Sequence, residues 1–181
     1  MRVIAGVAKK RLLKVPSGWT GRPTADRVKE SLFNILAGSI IECNFLDLFA
    51  GTGNVGIEAL SRGALKAVFV EKDHRAAGSI MQNVKITGFE DRSRIIIRDV
   101  YRALTQLGEE GDSFDIVFLD PPYSMGFEIP VISSLLERKI LTPGGLVIAE
   151  SSKRDTLPSR IVEVSIIKQQ RYGDTMITFY Q

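Results

Sequence analysis

The feature that most constrains the fold of this chain is a regular alternation of short apolar runs with longer amphipathic segments between residues 45 and 150. The apolar runs are nearly continuous, as strands are when helices cover both faces of a sheet. This alternation predicts a doubly wound α/β fold with a mostly parallel, Rossmann-like sheet. We expect strands at residues 45–49, 67–71, 94–98, 115–120 and 146–150, and helices at 55–62, 75–86, 100–107 and 127–140.

The two ends of the chain depart from this alternation. Residues 3–6 and 12–16 predict two short strands around a basic turn, which form a small hairpin outside the main sheet. Thr24 is a candidate N-cap for a helix that ends near Gly38. Two β-rich runs, 161–169 and 175–180, predict a closing antiparallel hairpin around a turn at 171–174. We therefore expect a basic N-terminal hairpin extension at 1–20 and one α/β domain at 21–181.

Composition narrows the possible chemistry. A chain of 181 residues with 44% hydrophobic content can bury one core, and we expect a monomer. Cys43 and His74 are its only cysteine and histidine, so neither a disulfide framework nor a Cys/His zinc site can form within it, and we expect no metal. The apolar runs are too short to span a bilayer, and there is no signal-like apolar segment at the start. We therefore expect a cytoplasmic protein.

The charge is unevenly distributed. Residues 1–40 contain eight basic side chains and two acidic ones, a local charge of about +6 in a chain whose net charge is +3. A basic segment on a mildly acidic body favours a polyanionic partner such as a nucleic acid. A merely solvated basic edge explains the charge equally well, and composition does not separate the two.

A glycine-rich turn follows the first predicted strand and opens a helix. The spacing of Gly51, Gly53 and Gly56 suits close approach of the backbone to a ligand, and Glu71 at the end of the second strand suits a ribose hydroxyl. This pattern fits both NAD and S-adenosylmethionine. Asp47, inside the first strand, favours the second, because a buried carboxylate needs positive charge and would repel a pyrophosphate. Hydrogen bonds from loop amides are the alternative explanation for Asp47.

Further acidic residues follow the next strands. Asp99 ends the third strand, where its carboxylate could accept a hydrogen bond from an adenine amino group. Each strand-end acid could also be an ordinary solvated residue, but their joint occurrence at three neighbouring strand ends favours an adenosine cofactor. Phe49 and Lys72 flank these positions and belong to the predicted cofactor site.

The fourth strand ends in Asp120, Pro121, Pro122 and Tyr123, the most specific motif of the chain. The prolines stiffen the turn. The Asp120 carboxylate and the Pro121 carbonyl could accept the two hydrogens of a base amino group and orient its lone pair for attack on a methyl group. Tyr123 offers a flat face on which a flipped base can stack. We therefore predict that these four residues form the catalytic site, although a rigid turn without catalytic function is the alternative.

Several motifs together resemble a known family. They are the run 47–53, Glu71, Asp99 and the Asp-Pro-Pro-Tyr turn, joined by the segments 2–6, 22–34 and 171–175. The chain resembles, over nearly its whole length, the RsmD-type 16S rRNA (guanine-N2)-methyltransferases of the class I S-adenosylmethionine-dependent family. The resemblance implies methylation of a guanine N2 in 16S rRNA of the small ribosomal subunit. It also implies that Val100 holds the cofactor together with the glycine-rich loop, Glu71 and Asp99. RNA contacts are implied through the N-terminal basic segment and the 22–27 stretch, namely Arg2, Lys9, Lys10, Arg11, Arg22, Thr24 and Arg27.

Other functions remain open at this point. The same motif could methylate adenine N6 or a protein glutamine, although an aspartate at position 120 in place of asparagine favours neither. The glycine spacing also permits an NAD-dependent oxidoreductase, which lacks an evident proton-relay residue here. A non-catalytic RNA-binding assembly factor is a third possibility.

Overall fold

The computed structural model describes residues 1–16, 18 and 26–181, so Arg22 and Thr24 lie outside the described residues. Its five α-helices are α1 (Asp26–Leu36), α2 (Asn54–Ser61), α3 (His74–Thr87), α4 (Val100–Glu110) and α5 (Glu128–Glu137). Its strands are β1 (Asn44–Leu48), β2 (Lys66–Glu71), β3 (Ser93–Ile97), β4 (Phe114–Leu119), β5 (Leu141–Ser152), β6 (Arg160–Ile161), β7 (Val164–Tyr172) and β8 (Thr175–Tyr180). The predicted alternation is therefore confirmed, and most boundaries differ from the prediction by one to three residues.

All eight strands form one sheet in the order β3-β2-β1-β4-β5-β8-β7-β6. The pairs from β3 to β5 are parallel, whereas β5–β8, β8–β7 and β7–β6 are antiparallel. The order reverses between β1 and β4, which is the switch point at which doubly wound sheets bind ligands beyond the carboxyl ends of their strands. The fold thus places β1 and β4, with their acidic ends, side by side.

Two apolar layers cover the sheet. On one face α1, α2 and α3 pack against buried aromatic rings of the strands, including Phe45, Phe69 and Phe118. On the other face α4 and α5 pack against the alternate strand residues, such as Leu46 and Val117. Successive strand residues point to opposite faces, which is why the strand sequences are apolar throughout.

The first 16 residues form a compact loop against α2, where the sequence predicted a hairpin of two regular strands. A single antiparallel bridge joins Arg2 to Leu12. The backbone amides of Ile4 and Ala5 instead donate to the Glu58 carboxylate at 2.8 and 3.0 Å. Backbone hydrogen bonds from Val3 to Arg11, from Lys10 to Val3 and from Leu13 to Met1 nevertheless pair the two segments. The predicted hairpin is therefore present, but its pairing is confined to the residues around this bridge, and Ile4 and Ala5 bind α2 instead. Three apolar side chains of the loop join the core, namely Val3, Ala8 and Leu13.

The closing hairpin is confirmed, with different strand limits. Its first strand begins at Val164 and continues through Arg171 and Tyr172, which the sequence had assigned to the turn. The loop is only Gly173 and Asp174. Since β8 is antiparallel to β5, with Thr175 opposite Ser152, the tip of this hairpin lies at the carboxyl edge of the parallel strands.

Neither a membrane span nor a metal-binding cluster occurs in the described part of the chain. No helix among these residues is long and apolar enough to cross a membrane. Residues 1–16, 18 and 26–181 also contain no cluster of three or more histidine, cysteine, aspartate or glutamate side chains that could hold a metal ion.

Candidate active site

A cavity of about 510 Å³ lies beyond the carboxyl ends of the parallel strands, at the switch point between β1 and β4. Residues from four successive strand ends line it. They include eleven of the twelve predicted catalytic and cofactor residues, namely Asp47, Phe49, Gly51, Glu71, Lys72, Asp99, Val100, Asp120, Pro121, Pro122 and Tyr123. Gly53 does not line the cavity. The sheet thus brings the glycine-rich turn and the Asp-Pro-Pro-Tyr turn into one pocket.

The glycines of the first turn serve the backbone path and helix packing. Gly53 has φ +76° and immediately precedes α2. At Gly56, an added Cβ would lie 2.4 Å from a ring carbon of Phe69, so no larger residue fits between α2 and β2 without a shift. The third glycine therefore lets α2 pack closely on the sheet, which sets the position of the turn above it.

Asp47 lies at the floor of the cavity and is 2% exposed. Its Oδ2 accepts a hydrogen bond of 2.9 Å from the backbone amide of Gly56. Burial raises the pKa of this carboxyl to about 7; the Gly56 hydrogen bond lowers it and the charge of Glu71 raises it further. Asp47 thus accepts an amide of the first turn of α2 and also lines the pocket, so both interpretations made from the sequence stay open. A cation in the cavity would favour its ionised form.

Glu71 and Asp99 are the next two acids along the strand ends. The carboxylate of Glu71 accepts the amide of Gly51 at 2.8 Å and the amide of Asp73 at 2.8 Å. Asp99 caps α4 by accepting the amide of Tyr101 at 3.0 Å. Both carboxylates therefore bind backbone amides and also line the cavity. Since a carboxylate can accept about four hydrogen bonds, each can still accept hydrogen bonds from a ligand.

The Asp-Pro-Pro-Tyr turn forms the opposite wall. The Tyr123 hydroxyl donates to Oε1 of Glu150 at 3.0 Å, and it lies 3.1 Å from the hydroxyl oxygen of Thr175. Burial raises the pKa of Tyr123, and the neighbouring charges of Glu150 and Asp120 raise it further, so the phenol stays protonated. The ring is thus anchored at its far end by β5 and by the closing hairpin.

Sequence reasoning missed several residues of the cavity. Glu150 could have been found by the rule that identified Asp120, since it ends the fifth predicted strand and follows the last β5 residue that pairs with β4. No local pattern marks Phe127 or Met125, which follow the Asp-Pro-Pro-Tyr turn. The ring of Phe127 packs against that of Phe49, with centroids 5.6 Å apart, and so forms an aromatic wall.

The lining suits a cationic ligand that contains an aromatic base. Acidic side chains outnumber basic ones, with Asp47, Glu71, Asp99, Asp120 and Glu150 against Lys72 and Arg98. A diphosphate would meet repulsion from this set, whereas an ammonium or sulfonium group would be attracted. The apolar part of the wall, which includes Val70, Val100 and Phe118, suits a flat ring. The residues therefore fit S-adenosylmethionine better than NAD.

The predicted RNA-binding residues within the described part of the chain lie outside the cavity. The Arg2 guanidinium pairs with Asp26 at 3.4 Å on the surface, and Arg27 is exposed on α1. The exposed turn of the N-terminal loop carries three adjacent cations, Lys9, Lys10 and Arg11. Their exposure leaves the predicted RNA contacts open.

A buried ion pair ties the N-terminal loop to the cavity. Lys29 of α1 is fully buried, and its Nζ lies 3.2 Å from Oε2 of the equally buried Glu58. The same ammonium donates to the Arg2 carbonyl at 2.8 Å and to Oδ1 of Asn54 at 2.6 Å. Since Asn54 lines the cavity, this network links the loop, α1 and α2 to the glycine-rich turn.

The chain is similar to known proteins over its full length. The family described as Conserved hypothetical protein 95 matches residues 1–181. Ribosomal RNA small subunit methyltransferase D of Escherichia coli K12 is 34% identical over all 181 residues, which cover 89% of that protein. Its counterpart of the same name in Haemophilus influenzae is also 34% identical, with 93% of its length covered.

Solved structures are similar as well. A hypothetical protein of Thermus thermophilus superposes with a TM-score of 0.85 at 32% identity, covering 99% of this chain and 98% of that one. An RNA methyltransferase from Salinibacter ruber, solved in complex with S-adenosyl-L-homocysteine, has a TM-score of 0.67 at 18% identity and covers 87% and 92%. The second likeness concerns the fold alone.

Proposed function

The chain belongs to the family described as Conserved hypothetical protein 95. We propose that it is an rRNA methyltransferase that uses S-adenosylmethionine to modify the N2 amino group of a guanine in 16S rRNA. One observation carries this proposal. A single cavity joins the glycine-rich turn after β1 to the Asp-Pro-Pro-Tyr turn after β4. This shared cavity supports a cofactor site next to a site for a base amino group.

Residues on the β1 to β3 side would hold the cofactor. Asp47 supplies negative charge at the floor, while Glu71 and Asp99 supply acceptors for ribose hydroxyls and an adenine amino group. Phe49, Lys72 and Val100 line the same side, and the Gly51–Gly53 backbone forms the turn over it. When bound, S-adenosylmethionine supplies an activated methyl group whose leaving group is a neutral thioether.

Residues on the β4 side would hold the base. An exocyclic amino group is a poor nucleophile because its lone pair is delocalised into the ring. Asp120 and the Pro121 carbonyl accept its two N–H hydrogens, which returns lone-pair density to nitrogen and turns it toward the cofactor side. Tyr123 stacks on the base, and its anchored hydroxyl keeps the ring in place.

The alternatives drawn from the sequence fare less well. The acidic lining disfavours the diphosphate of NAD, and the full-length relatives are named as rRNA methyltransferases. Activity on adenine N6 or on a protein glutamine is not supported by any relative described above. We therefore keep guanine N2 as the proposed target.

The relatives act, by their names, on small-subunit rRNA, and the N-terminal basic loop suits a phosphate backbone. We propose that Arg2, Arg27 and the three loop cations contact the 16S rRNA of an assembling or assembled subunit. Arg22 and Thr24 belong to the same proposed surface. The reaction would take place in the cytoplasm, where bacterial ribosomes are.

The decisive experiment uses the purified chain, methyl-labelled S-adenosylmethionine and small ribosomal subunits that lack the modification. RNA is then digested and the labelled nucleoside is identified by mass spectrometry. We expect labelled N2-methylguanosine from 16S rRNA. Label in an adenosine or in a ribosomal protein would refute the proposed target.

A further inference from the structure

Asp120 and Glu150 lie side by side on neighbouring strands, just beyond the last paired residues of β4 and β5. β4 and β5 are parallel, and the last pair in their register is Leu119 with Ala149, so the next residue of each strand is a carboxylate. Both carboxylates line the cavity. Glu150 is only 5% exposed and therefore belongs to the wall of the pocket.

Tyr123 connects the two acids. Its hydroxyl donates to Oε1 of Glu150 at 3.0 Å, and Tyr123 follows Asp120 by three residues in the same turn. Thr175, opposite Ser152 in the sheet, contacts the same hydroxyl. Glu150 is consequently held at the edge of the ring on which the base would stack, beside the acid that would hold the amino group.

Two adjacent carboxylates match one base edge in particular. Guanine presents hydrogens on N1 and on the N2 amino group next to each other, so this part of its Watson–Crick edge, beyond the O6 acceptor, offers donors only. A carboxylate only accepts hydrogen bonds, and it would face the N1 lone pair of a purine that lacks the N1 hydrogen. Leaving a buried acceptor opposite another acceptor is costly.

We propose that Glu150 accepts the N1–H of the target guanine while Asp120 holds its N2 amino group, so that Glu150 determines specificity for guanine. This inference rests on the function proposed above. It assigns Glu150 a role beyond the orientation of Tyr123. Glu150 contacts the base edge, whereas the Asp-Pro-Pro-Tyr turn holds the amino group that receives the methyl group.

The test compares guanine with 2-aminopurine, which keeps the N2 amino group but has a lone pair at N1. Once the labelling experiment has located the methylated nucleotide, small subunits are assembled on 16S RNA carrying either base at that single position, joined from synthetic fragments. Single-turnover rates are measured for the wild type and for Glu150→Gln. A glutamine amide can either accept from N1–H or donate to an N1 lone pair, so the substitution should relax the choice.

We expect the wild type to prefer guanine over 2-aminopurine by about a hundredfold, and Glu150→Gln to reduce that ratio to about tenfold or less. Thr175→Val is the matched control, because it removes a hydroxyl at the ring edge and leaves both carboxylates and the donor of the Tyr123–Glu150 hydrogen bond. It should slow turnover while keeping the wild-type ratio. Calorimetric binding of S-adenosylhomocysteine and a thermal melt verify that each variant is folded.

The outcomes separate the two proposals. If the wild type labels no guanine in unmodified subunits, the proposed function fails. If it labels guanine but the base ratio is the same in Glu150→Gln and the wild type, the specificity role is overturned. That role also fails if Thr175→Val lowers the ratio to the same degree as Glu150→Gln, because the ratio then depends on the placement of the tyrosine and not on the Glu150 carboxylate.

Discussion

Lowering the pH from 8 to 6 is expected to weaken binding of S-adenosylmethionine about tenfold, because the binding cavity contains a carboxyl that burial keeps partly protonated. Asp47 is 2% exposed, and its pKa is raised to about 7 in the free protein. A cation in the cavity favours the ionised form, so its binding must displace the proton. His74, the only histidine, is exposed and does not line the cavity.

The magnitude follows from the ionised fraction. With a pKa of about 7, roughly nine tenths of Asp47 is ionised at pH 8 and roughly one tenth at pH 6. Affinity scales with that fraction when the bound form has a much lower pKa, which gives about tenfold, or about 1.4 kcal/mol. At pH 6, binding should also release about 0.9 protons. The affinity falls with falling pH because the raised pKa of Asp47 lets this carboxyl take up a proton and lose the charge that attracts the cation.

Isothermal titration calorimetry at pH 6, 7 and 8, in buffers of different ionisation enthalpy, measures both the affinity and the proton release. Asp47→Asn is the matched control, since its amide oxygen can still accept the Gly56 amide while the charge is gone. Titration of the ligand itself is common to both proteins, so the difference between them isolates Asp47. The variant should bind more weakly at pH 8 and lack the additional tenfold loss at pH 6. Equal pH dependence in the two proteins would refute the reasoning.

Four further predictions concern single features of the molecule. Asp120→Ala should lower single-turnover methylation about a hundredfold or more and leave S-adenosylhomocysteine affinity nearly unchanged, because this carboxylate would orient the amine. Glu71→Ala should weaken cofactor binding in calorimetry by about 1.5–3 kcal/mol, since ligand hydrogen bonds and the Gly51 amide contact are both lost. Lys29→Met should lower the free energy of unfolding in urea by about 1–3 kcal/mol, because it removes one of the two cations that pair with the buried Glu58 while Arg62 remains. Replacing Lys9, Lys10 and Arg11 with alanine should reduce the slope of log RNA affinity against log salt concentration by about 2. Cofactor binding should not change.

Each of these predictions has a clear contrary result. Near wild-type turnover in Asp120→Ala would remove that residue from the chemistry, and unchanged affinity in Glu71→Ala would leave it a structural strand-end acid. A loss below about 1 kcal/mol for Lys29→Met would mean that Arg62 alone compensates the charge of Glu58. An unaltered salt slope in the triple variant would place the RNA elsewhere. For the first two variants, an unchanged melting temperature is the control for folding.

Much of the fold was readable from the sequence because it depends on local periodicity. Apolar runs of strand length separated by amphipathic helices specify a covered parallel sheet, and β1 to β4 lie within two residues of their predicted positions. The candidate site followed from the same logic, since acids at the ends of parallel strands must meet at one edge of the sheet. The sequence alone therefore predicted that Asp47, Glu71, Asp99 and Asp120 lie close together, and all four line the cavity.

Only the tertiary structure decided what those residues and their neighbours contact. The N-terminal loop donates its amides to Glu58, whose partner Lys29 lies 29 residues earlier in the chain, and no local pattern encodes that encounter. Glu150 meets Tyr123 because β4 and β5 pair in one register, and Thr175 reaches the same hydroxyl because β8 runs antiparallel to β5. Strand periodicity specifies which side chains face inward, whereas long-range hydrogen bonds depend on how separate elements pack, and that is determined only when the whole core has formed.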